Sequence, residues 1–176
     1  MGDHKQLDPF ISEQMKRKHP FSTQSLYLYL ISKKVKSVML KTQFRMHPLI
    51  SMFPNREFYD NQIINADGME EKTKVDLVGI VTPILFVDTC GNEQKVFGSS
   101  FSNSKEADVV VNLLYNFKMN NVQSSEVGVI TPYFGQKELI KSKSQSLNYS
   151  GVRISSVDSF QGSERDFIIL SLVRAN

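Results

Sequence analysis

The sequence is poor in cysteine and tryptophan and has no long apolar run. Cys90 is the single cysteine among 176 residues, so these residues cannot form an internal disulfide. No stretch of apolar residues is long enough to cross a bilayer, and the first residues do not show the pattern of a signal peptide. These absences exclude a disulfide-stabilised scaffold and a membrane-spanning segment, and they predict a protein of a reduced intracellular compartment, the cytoplasm or the nucleus.

Size and charge set the next limits. The chain is 40% hydrophobic and contains 12 Phe, which is enough for one sizeable core and too little for two large ones. Its 21 Lys and Arg against 18 Asp and Glu leave a net charge of +3, which permits a polyanionic partner without requiring one. Both ends of the sequence are abrupt, so we expect a piece that is truncated at both ends.

Apolar periodicity predicts strands that alternate with helices. Asn103 followed by Glu106 is a capping-box signal, and the apolar residues after it recur at helical spacing to about residue 118. Residues 49–59 predict a short helix that is broken at Pro54. An amphipathic helix is predicted over 134–147, and strands over 36–40, 83–88, 127–130, 152–157 and 167–173. This alternation predicts an α/β fold with a parallel sheet, in which the loops after the carboxyl ends of the strands carry the ligands.

Two early segments carry side chains suited to a terminal phosphate. Residues 2–7 form a glycine turn that presents Gln6, whose amide can bind a water and a phosphate oxygen together. Residues 43–48 place Arg45 directly after a strand, where its guanidinium suits the oxygens of a transferring phosphate. Phe44 beside it can stack on a base.

Less specific interpretations of these segments stay open. The first segment alone favours a surface turn, and pairing to a carboxylate is the more common fate of an arginine such as Arg45. His47 is interpreted as structural. No metal site is predicted, because His4 and His19 have no ligand spacing with His47.

A third segment, residues 131–136, follows a predicted strand and opens a helix. It offers the hydroxyl of Thr131, the helix-start residue Pro132 and the ring of Tyr133. Backbone amides at a helix start bind phosphate oxygens, and an aromatic ring can stack on an unpaired base. The alternative is an ordinary helix N-cap with proline in the first turn.

The fourth segment, residues 155–166, is rich in small hydroxyl side chains. Ser156 and Val157 follow the strand directly and can touch a sugar-phosphate backbone, while Gly162 allows a tight turn. Glu164 can accept a hydrogen bond from a ribose hydroxyl. The alternative is a charged, solvated turn.

Taken together, the four segments resemble superfamily 1 helicases of the nonsense-mediated-decay type, with senataxin-like and immunoglobulin-mu-binding relatives. Residues 2–7 are similar to motif III of that family, 43–48 to its motif IV region, 129–136 to the nucleic-acid-contacting segment and 156–176 to motif V. The resemblance covers most of the chain. It implies a RecA-like parallel sheet flanked by helices.

The resemblance also implies roles for individual residues. Gln6 senses the γ-phosphate and Arg45 contacts it, which makes these two the implied catalytic residues. Phe44 stacks near the adenine, Glu164 meets the ribose, and Asp8 stands where the family usually has a proline. The residues implied to face the single strand are Thr131, Pro132, Tyr133, Ser156 and Val157.

The sequence contains no Gly-x-x-x-x-Gly-Lys-Ser/Thr segment to cradle phosphates and Mg²⁺. We therefore expect ATP and Mg²⁺ to be bound mainly by an N-terminal RecA-like domain that these residues lack. Residues 1–40 are expected to be the tail of that first motor domain, including motif III, and 41–176 the second RecA-like domain without its last motif.

The implied function is part of an ATP-dependent helicase, a nucleoside-triphosphate hydrolase that moves along single-stranded RNA or DNA. The family favours RNA surveillance, and the fragment alone is expected to be inactive, with no membrane partner. The alternative is a noncatalytic nucleic-acid-binding or protein-docking module derived from a helicase.

Overall fold

The computed structural model describes residues 2–7, 11–19, 25–71, 82–96 and 98–174. The chain divides into two compact units, Met1–Lys72 and Thr73–Asn176. Asp8, the departure from the family pattern, lies outside the described residues.

The first unit contains three helices and a short parallel pair of strands among its described residues. Strands β1 and β2 pair with Thr42 opposite Ile64 and Gln43 opposite Asn65. In chain order the elements are α1 (Glu13–Lys18), α2 (Leu26–Ser32), β1 (Thr42–Gln43), α3 (Pro48–Phe58) and β2 (Ile64–Asn65).

Helix α3 continues through Pro54, so the predicted break at this residue is wrong. A proline in a helix removes one backbone donor, but other groups hold both ends of α3. The Nδ1 atom of His47 accepts a hydrogen bond from the Leu49 N–H at 3.1 Å, which confirms the structural interpretation of His47 as a helix cap. The side chain of Asn55 exchanges two hydrogen bonds with the Ile63 backbone, at 2.9 and 2.8 Å.

The strand predicted over residues 36–40 does not form. Val38 is 84% exposed and Leu40 is 75% exposed, and the strand begins later, at Thr42. An apolar run becomes a strand only where another strand pairs with it. In the described part of the first unit, β2 offers such a partner to residues 42 and 43 alone.

The second unit contains a three-stranded sheet in the order β6-β5-β7. Both pairings are parallel, so the predicted α/β fold with a parallel sheet is confirmed. The elements are β3 (Gln94–Lys95), β4 (Phe101–Ser102), α4 (Ser104–Met119), β5 (Val127–Ile130), α5 (Phe134–Ser144), β6 (Arg153–Ser155), α6 (Val157–Phe160) and β7 (Phe167–Leu170).

The core of this unit lies between the sheet and helices α4 and α5. Residues on α4 recur at helical spacing on its buried face, as the sequence predicts. The helix over 134–147 is confirmed as α5 followed by a 3-10 turn over Gln145–Leu147. The buried residues of the core are Ala107, Val110, Leu114, Phe117, Val127, Val129 and Ile140.

The capping box predicted at the start of α4 is half formed. The side chain of Asn103 accepts a hydrogen bond from the Glu106 N–H at 3.1 Å. The Asn103 N–H, however, donates to Oε1 of the buried Gln136 at 2.8 Å, so the Glu106 carboxylate is left to bind elsewhere.

The buried strand predicted over residues 83–88 is also wrong. Phe86 is 82% exposed and Ile84 is 54% exposed, and these residues have no strand partner among those that the structure describes. A continuous apolar run becomes a buried strand only where a neighbouring strand pairs with it and other elements cover its faces.

Candidate nucleic-acid interface and nucleotide-contacting residues

The carboxyl ends of β5, β6 and β7 meet at one edge of the sheet. Ile130 on β5 is opposite Ser155 on β6 and Leu170 on β7. Beyond the strands, the Thr131 N–H donates to the Ser155 carbonyl at 3.1 Å and the Ser171 N–H to the Ile130 carbonyl at 2.9 Å. The loops after the three strands therefore lie side by side. Two of the four segments that the sequence analysis identified begin at this carboxyl edge.

The loop after β5 presents rings rather than a hydroxyl. Thr131 is fully buried, and its Oγ1 accepts a hydrogen bond from the Tyr133 N–H at 3.4 Å. Pro132 is exposed and Tyr133 half-buried, with the Tyr133 ring edge-on to Phe101 at 5.7 Å between centroids. The accessible surface of this loop thus comes from Pro132 and Tyr133, while Thr131 shapes it from beneath.

Phe134 extends this accessible surface, and the sequence interpretation missed it. Its side chain is 66% exposed, and Lys137 Nζ lies 4.6 Å from the ring centroid. A cation beside an exposed ring offers both stacking and charge to a polynucleotide. The signal was present in the sequence as a second aromatic residue directly after Tyr133.

The loop after β6 begins with Ser156, which is the N-cap of α6. Its hydroxyl accepts from the Ser159 N–H at 3.4 Å and shares a hydrogen bond with the Ser159 hydroxyl at 2.7 Å. Val157 is 42% exposed. Ser156 and Val157 lie beside the β5 loop, so the structure brings the residues predicted to face a single strand to one edge.

Glu164 has a different position. It is exposed, and it lies three residues before Phe167, which pairs with Val127 at the amino end of β5. The neighbouring Ser163 accepts a hydrogen bond from Arg153, at the start of β6, at 2.7 Å. Glu164 therefore lies on the segment that enters the amino end of β7 rather than in the loops after β5 and β6. Its contact with a ribose stays a prediction.

In the first unit, the loop that carries Arg45 is braced by the side chain of Gln43. Gln43 Oε1 accepts from the N–H groups of Arg45 and Met46 at 2.9 and 2.7 Å, and its Nε2 donates to Asn65 on β2 at 2.7 Å. Arg45 is exposed and Phe44 is 68% exposed. The loop thus presents a guanidinium and a ring to solvent from a fixed backbone.

Gln6 is held by Asp3. The Gln6 Nε2 donates to Asp3 Oδ2 at 2.9 Å, and the same oxygen accepts from the Tyr59 hydroxyl at 2.6 Å. Tyr59 is the C-cap of α3, whereas the Arg45 loop precedes the N-cap of that helix. An 11-residue helix is about 16 Å long. Gln6 and Arg45 are therefore anchored at opposite ends of α3.

The contact between Asp3 and Tyr59 changes the pKa of both groups. Burial raises the pKa of Asp3, but hydrogen bonds from Tyr59, the Lys5 N–H and Gln6 outweigh it and leave the pKa below its usual value. Burial and the hydrogen bond to Asp3 raise the pKa of Tyr59 to about 12. Folding therefore favours the pair of an ionised Asp3 and a neutral Tyr59.

This pair gives stability a defined pH dependence. The raised pKa of Tyr59 contributes stability that is complete below its ordinary pKa of about 10 and is lost as pH rises toward about 12. The lowered pKa of Asp3 contributes stability above its ordinary value that is lost as pH falls. We expect Asp3→Asn to return the Tyr59 titration toward about 10, measured by NMR of ring-labelled tyrosine. Tyr59→Phe assigns the signal, and a Tyr59 titration unchanged by Asp3→Asn would disprove the contact.

The described residues show no group of three or more His, Cys, Asp or Glu side chains that could hold a metal ion. None of the described helices is both long and apolar enough to span a membrane.

A parallel sheet covered by helices, with its loops collected at one carboxyl edge, is typical of α/β domains that bind nucleotides or nucleic acids. The AAA domain family matches residues 22–176, so the chain belongs to this family. It is 38% identical to the regulator of nonsense transcripts 1 homolog of Neurospora crassa over 187 residues, covering 100% of the chain and 17% of the relative.

Two further relatives give the same result. The ATP-dependent helicase NAM7 of Saccharomyces cerevisiae is 38% identical over 189 residues, covering 100% of the chain and 19% of the relative. The DNA polymerase alpha-associated DNA helicase A of Schizosaccharomyces pombe is 32% identical over 192 residues, covering 99% of the chain and 28% of the relative. The resemblance to superfamily 1 helicases of the nonsense-mediated-decay type, with a RecA-like fold, is confirmed, and the chain spans less than a third of these relatives.

Proposed function

We propose that this chain is part of an ATP-dependent helicase that couples ATP hydrolysis to movement along single-stranded nucleic acid. The observation that carries the proposal is the juxtaposition, at one carboxyl edge, of the β5 loop with Pro132 and Tyr133 and the β6 loop with Ser156 and Val157. An aromatic ring beside a serine hydroxyl suits the bases and the backbone of an unpaired strand.

Arg45, Phe44 and Gln6 are suited to form one half of an ATP site. Arg45 and Phe44 offer a cation and an exposed ring, and Gln6 offers an amide. The sequence contains no Gly-x-x-x-x-Gly-Lys-Ser/Thr segment, and in this proposal the groups that cradle the phosphates and Mg²⁺ would come from a preceding RecA-like domain. In this proposal residues 1–40 end that domain and 41–176 form the second. Bound ATP would supply the energy of phosphoryl transfer.

The proposed mechanism is gating by closure of the cleft between two RecA-like domains. Arg45 would bind the terminal phosphate only in the closed state, and Glu164 would meet the ribose. Gln6 would reach the same phosphate only after the contact between Asp3 and Tyr59, which holds it at the other end of α3, has opened. The loops at Thr131 and Ser156 would grip the strand more tightly or more loosely as the cleft moves. The fragment alone would then bind a strand without turnover.

The cellular role follows from the relatives and is part of the same proposal. Regulators of nonsense transcripts are among them, which favours RNA over DNA and a role in RNA surveillance in the cytoplasm or the nucleus. A noncatalytic nucleic-acid-binding or docking module is the second candidate, because the chain itself has no phosphate-cradling segment. A Walker-type lysine in the complete reading frame would favour the enzyme.

Binding of a fluorescently labelled 12-nucleotide single strand to this chain tests the proposal. We expect the logarithm of the affinity to fall with that of salt concentration, by about 0.7 for each phosphate contacted. Ser156→Asp keeps the helix cap and adds a negative charge at the carboxyl edge, so it should weaken binding about fivefold to tenfold.

Ser125→Asp is the matched control. Ser125 is exposed in the 3-10 turn that leads into the amino end of β5, at the opposite edge of the sheet, and its replacement should leave the affinity unchanged. Binding that ignores salt, or an equal effect of the two aspartates, would contradict the proposed interface.

A further inference from the structure

The loop after β7 also lies at the carboxyl edge. The sequence analysis included it in the segment similar to motif V but gave none of its residues a role. We propose that residues 171–174, the β7 turn, contact the nucleic-acid strand through the side chain of Leu172, and that Glu106 is the positioning residue that holds the turn. This inference rests on the proposed function. It extends the interface from two loops to three.

The β7 turn lies next to the β5 loop. The Ser171 N–H donates to the Ile130 carbonyl at 2.9 Å, and the next residue of β5, Thr131, donates its own N–H to β6 at 3.1 Å. The β7 turn and the β6 loop therefore flank the β5 loop on its two sides. A strand that crosses the exposed surface of Pro132 and Tyr133 has the β7 turn next to it.

The backbone of the β7 turn is strained at Val173. Val173 has φ of +70° and is 4% exposed. A β-branched residue in the left-handed region is a genuine outlier, and such strain persists only where surrounding contacts enforce it. Strained backbone of this kind clusters at ligand-binding sites.

The contacts that enforce this conformation are visible. The Val173 N–H donates to both oxygens of the Glu106 carboxylate, at 2.9 and 3.2 Å, and Ser171 Oγ donates to the same group at 2.8 Å. The fully buried Gln136 donates to Ser171 Oγ at 3.0 Å. Asn103 Nδ2 reaches the Val173 carbonyl at 3.5 Å. The residues on either side of Leu172 are thus tied to the core.

The β7 turn exposes the side chain of Leu172 to solvent. Its side chain is 50% exposed between two buried residues. The next cation, Arg174, is already engaged, because its guanidinium lies 2.8 Å from the Glu93 carboxylate and 4.6 Å from the Phe101 ring. The contact available to a strand is therefore apolar, which suits the face of a base or a ribose rather than a phosphate.

The test uses this chain and the labelled 12-nucleotide single strand. Leu172→Ala should weaken binding about fivefold, with an unchanged salt dependence, because no ionic contact is removed. The matched control is Ile168→Ala, since Ile168 is 46% exposed but lies inside β7, where the same change should have no effect. Equal affinity of Leu172→Ala and the unchanged chain would overturn the contact.

A second pair of variants tests the positioning role. Glu106→Gln should weaken binding, because a neutral amide holds the strained turn less well than a carboxylate. Adding Val173→Gly should restore binding, since glycine adopts a positive φ without strain and does not need the clamp. A double variant that binds as weakly as Glu106→Gln would overturn the positioning role.

The same measurements separate this inference from the proposed function. If Ser156→Asp weakens binding and Leu172→Ala does not, the interface stands with two loops and the inference about the β7 turn fails. If binding ignores salt and all of these substitutions, both fail together.

Discussion

Arg45→Ala in the full-length parent protein is expected to lower ATP turnover by about 10³-fold to 10⁵-fold while single-strand binding persists. An arginine that meets the transferring phosphoryl group stabilises charge that develops only in the transition state. In the proposed interface, binding of the strand depends on a different set of loops, at the carboxyl edge of the second unit. The two activities should therefore separate.

The fixed backbone of its loop supports the proposed role of Arg45. The residue follows β1 on a loop whose backbone is fixed by two hydrogen bonds to the Gln43 side chain. A guanidinium on a fixed backbone costs little ordering when a phosphate arrives. Arg45→Lys keeps the charge but loses the planar fork, so most of the loss in turnover should remain.

Arg56→Ala is the control for Arg45→Ala. Arg56 is on α3 and its side chain pairs with Glu57 at 2.7 Å, so its removal should leave turnover unchanged. Steady-state ATP hydrolysis at saturating single-stranded RNA gives the comparison. Undiminished turnover in Arg45→Ala would remove this residue from the active site.

Local patterns in the sequence were sufficient to predict the central elements of the second unit. Helix α4 has a side-chain cap at Asn103 and an apolar face at helical spacing, and β5 is a short apolar run that ends at a helix start. In both, local preference and burial agree. The same agreement explains why the parallel arrangement of β5, β6 and β7 could be predicted from alternation alone.

Elements that depend on distant partners could not be predicted in this way. Residues 83–88 have the composition of a buried strand, yet Phe86 is 82% exposed because no described strand pairs with them. The periodicity of apolar residues indicates which side chains of a segment can be buried. It does not indicate whether another part of the protein packs against them. At Pro54 the contacts have the opposite effect. Contacts at the two ends of α3 outweigh the tendency of proline to break the helix.

The candidate site was predictable in its location and less so in its detail. The rule that ligands bind after the carboxyl ends of parallel strands places the Tyr133 and Ser156 loops together. The sequence does not reveal that Thr131 is buried or that Phe134 is exposed. The sequence also does not show that the Glu106 side chain binds the β7 turn instead of completing the capping box. These three features depend on packing between segments that are far apart in the chain.

Photocrosslinking tests the central claim, that the carboxyl edge of the sheet binds a single strand. A benzophenone amino acid in place of Tyr133 stands in the β5 loop. The same group in place of Tyr115 stands in the C-terminal half of α4, where the nearby Phe117 contacts Phe167, at the amino end of β7, at 4.9 Å between ring centroids. Tyr115 is 50% exposed, so it is an accessible position on α4 outside the loops of the carboxyl edge.

The measurement is the yield of crosslinked, labelled single strand after irradiation, with and without excess unlabelled strand. We predict a strong crosslink from position 133 that the competitor abolishes, and none above background from position 115. Equal crosslinking from both positions, or crosslinking from position 115 alone, would show that the strand does not lie at the carboxyl edge.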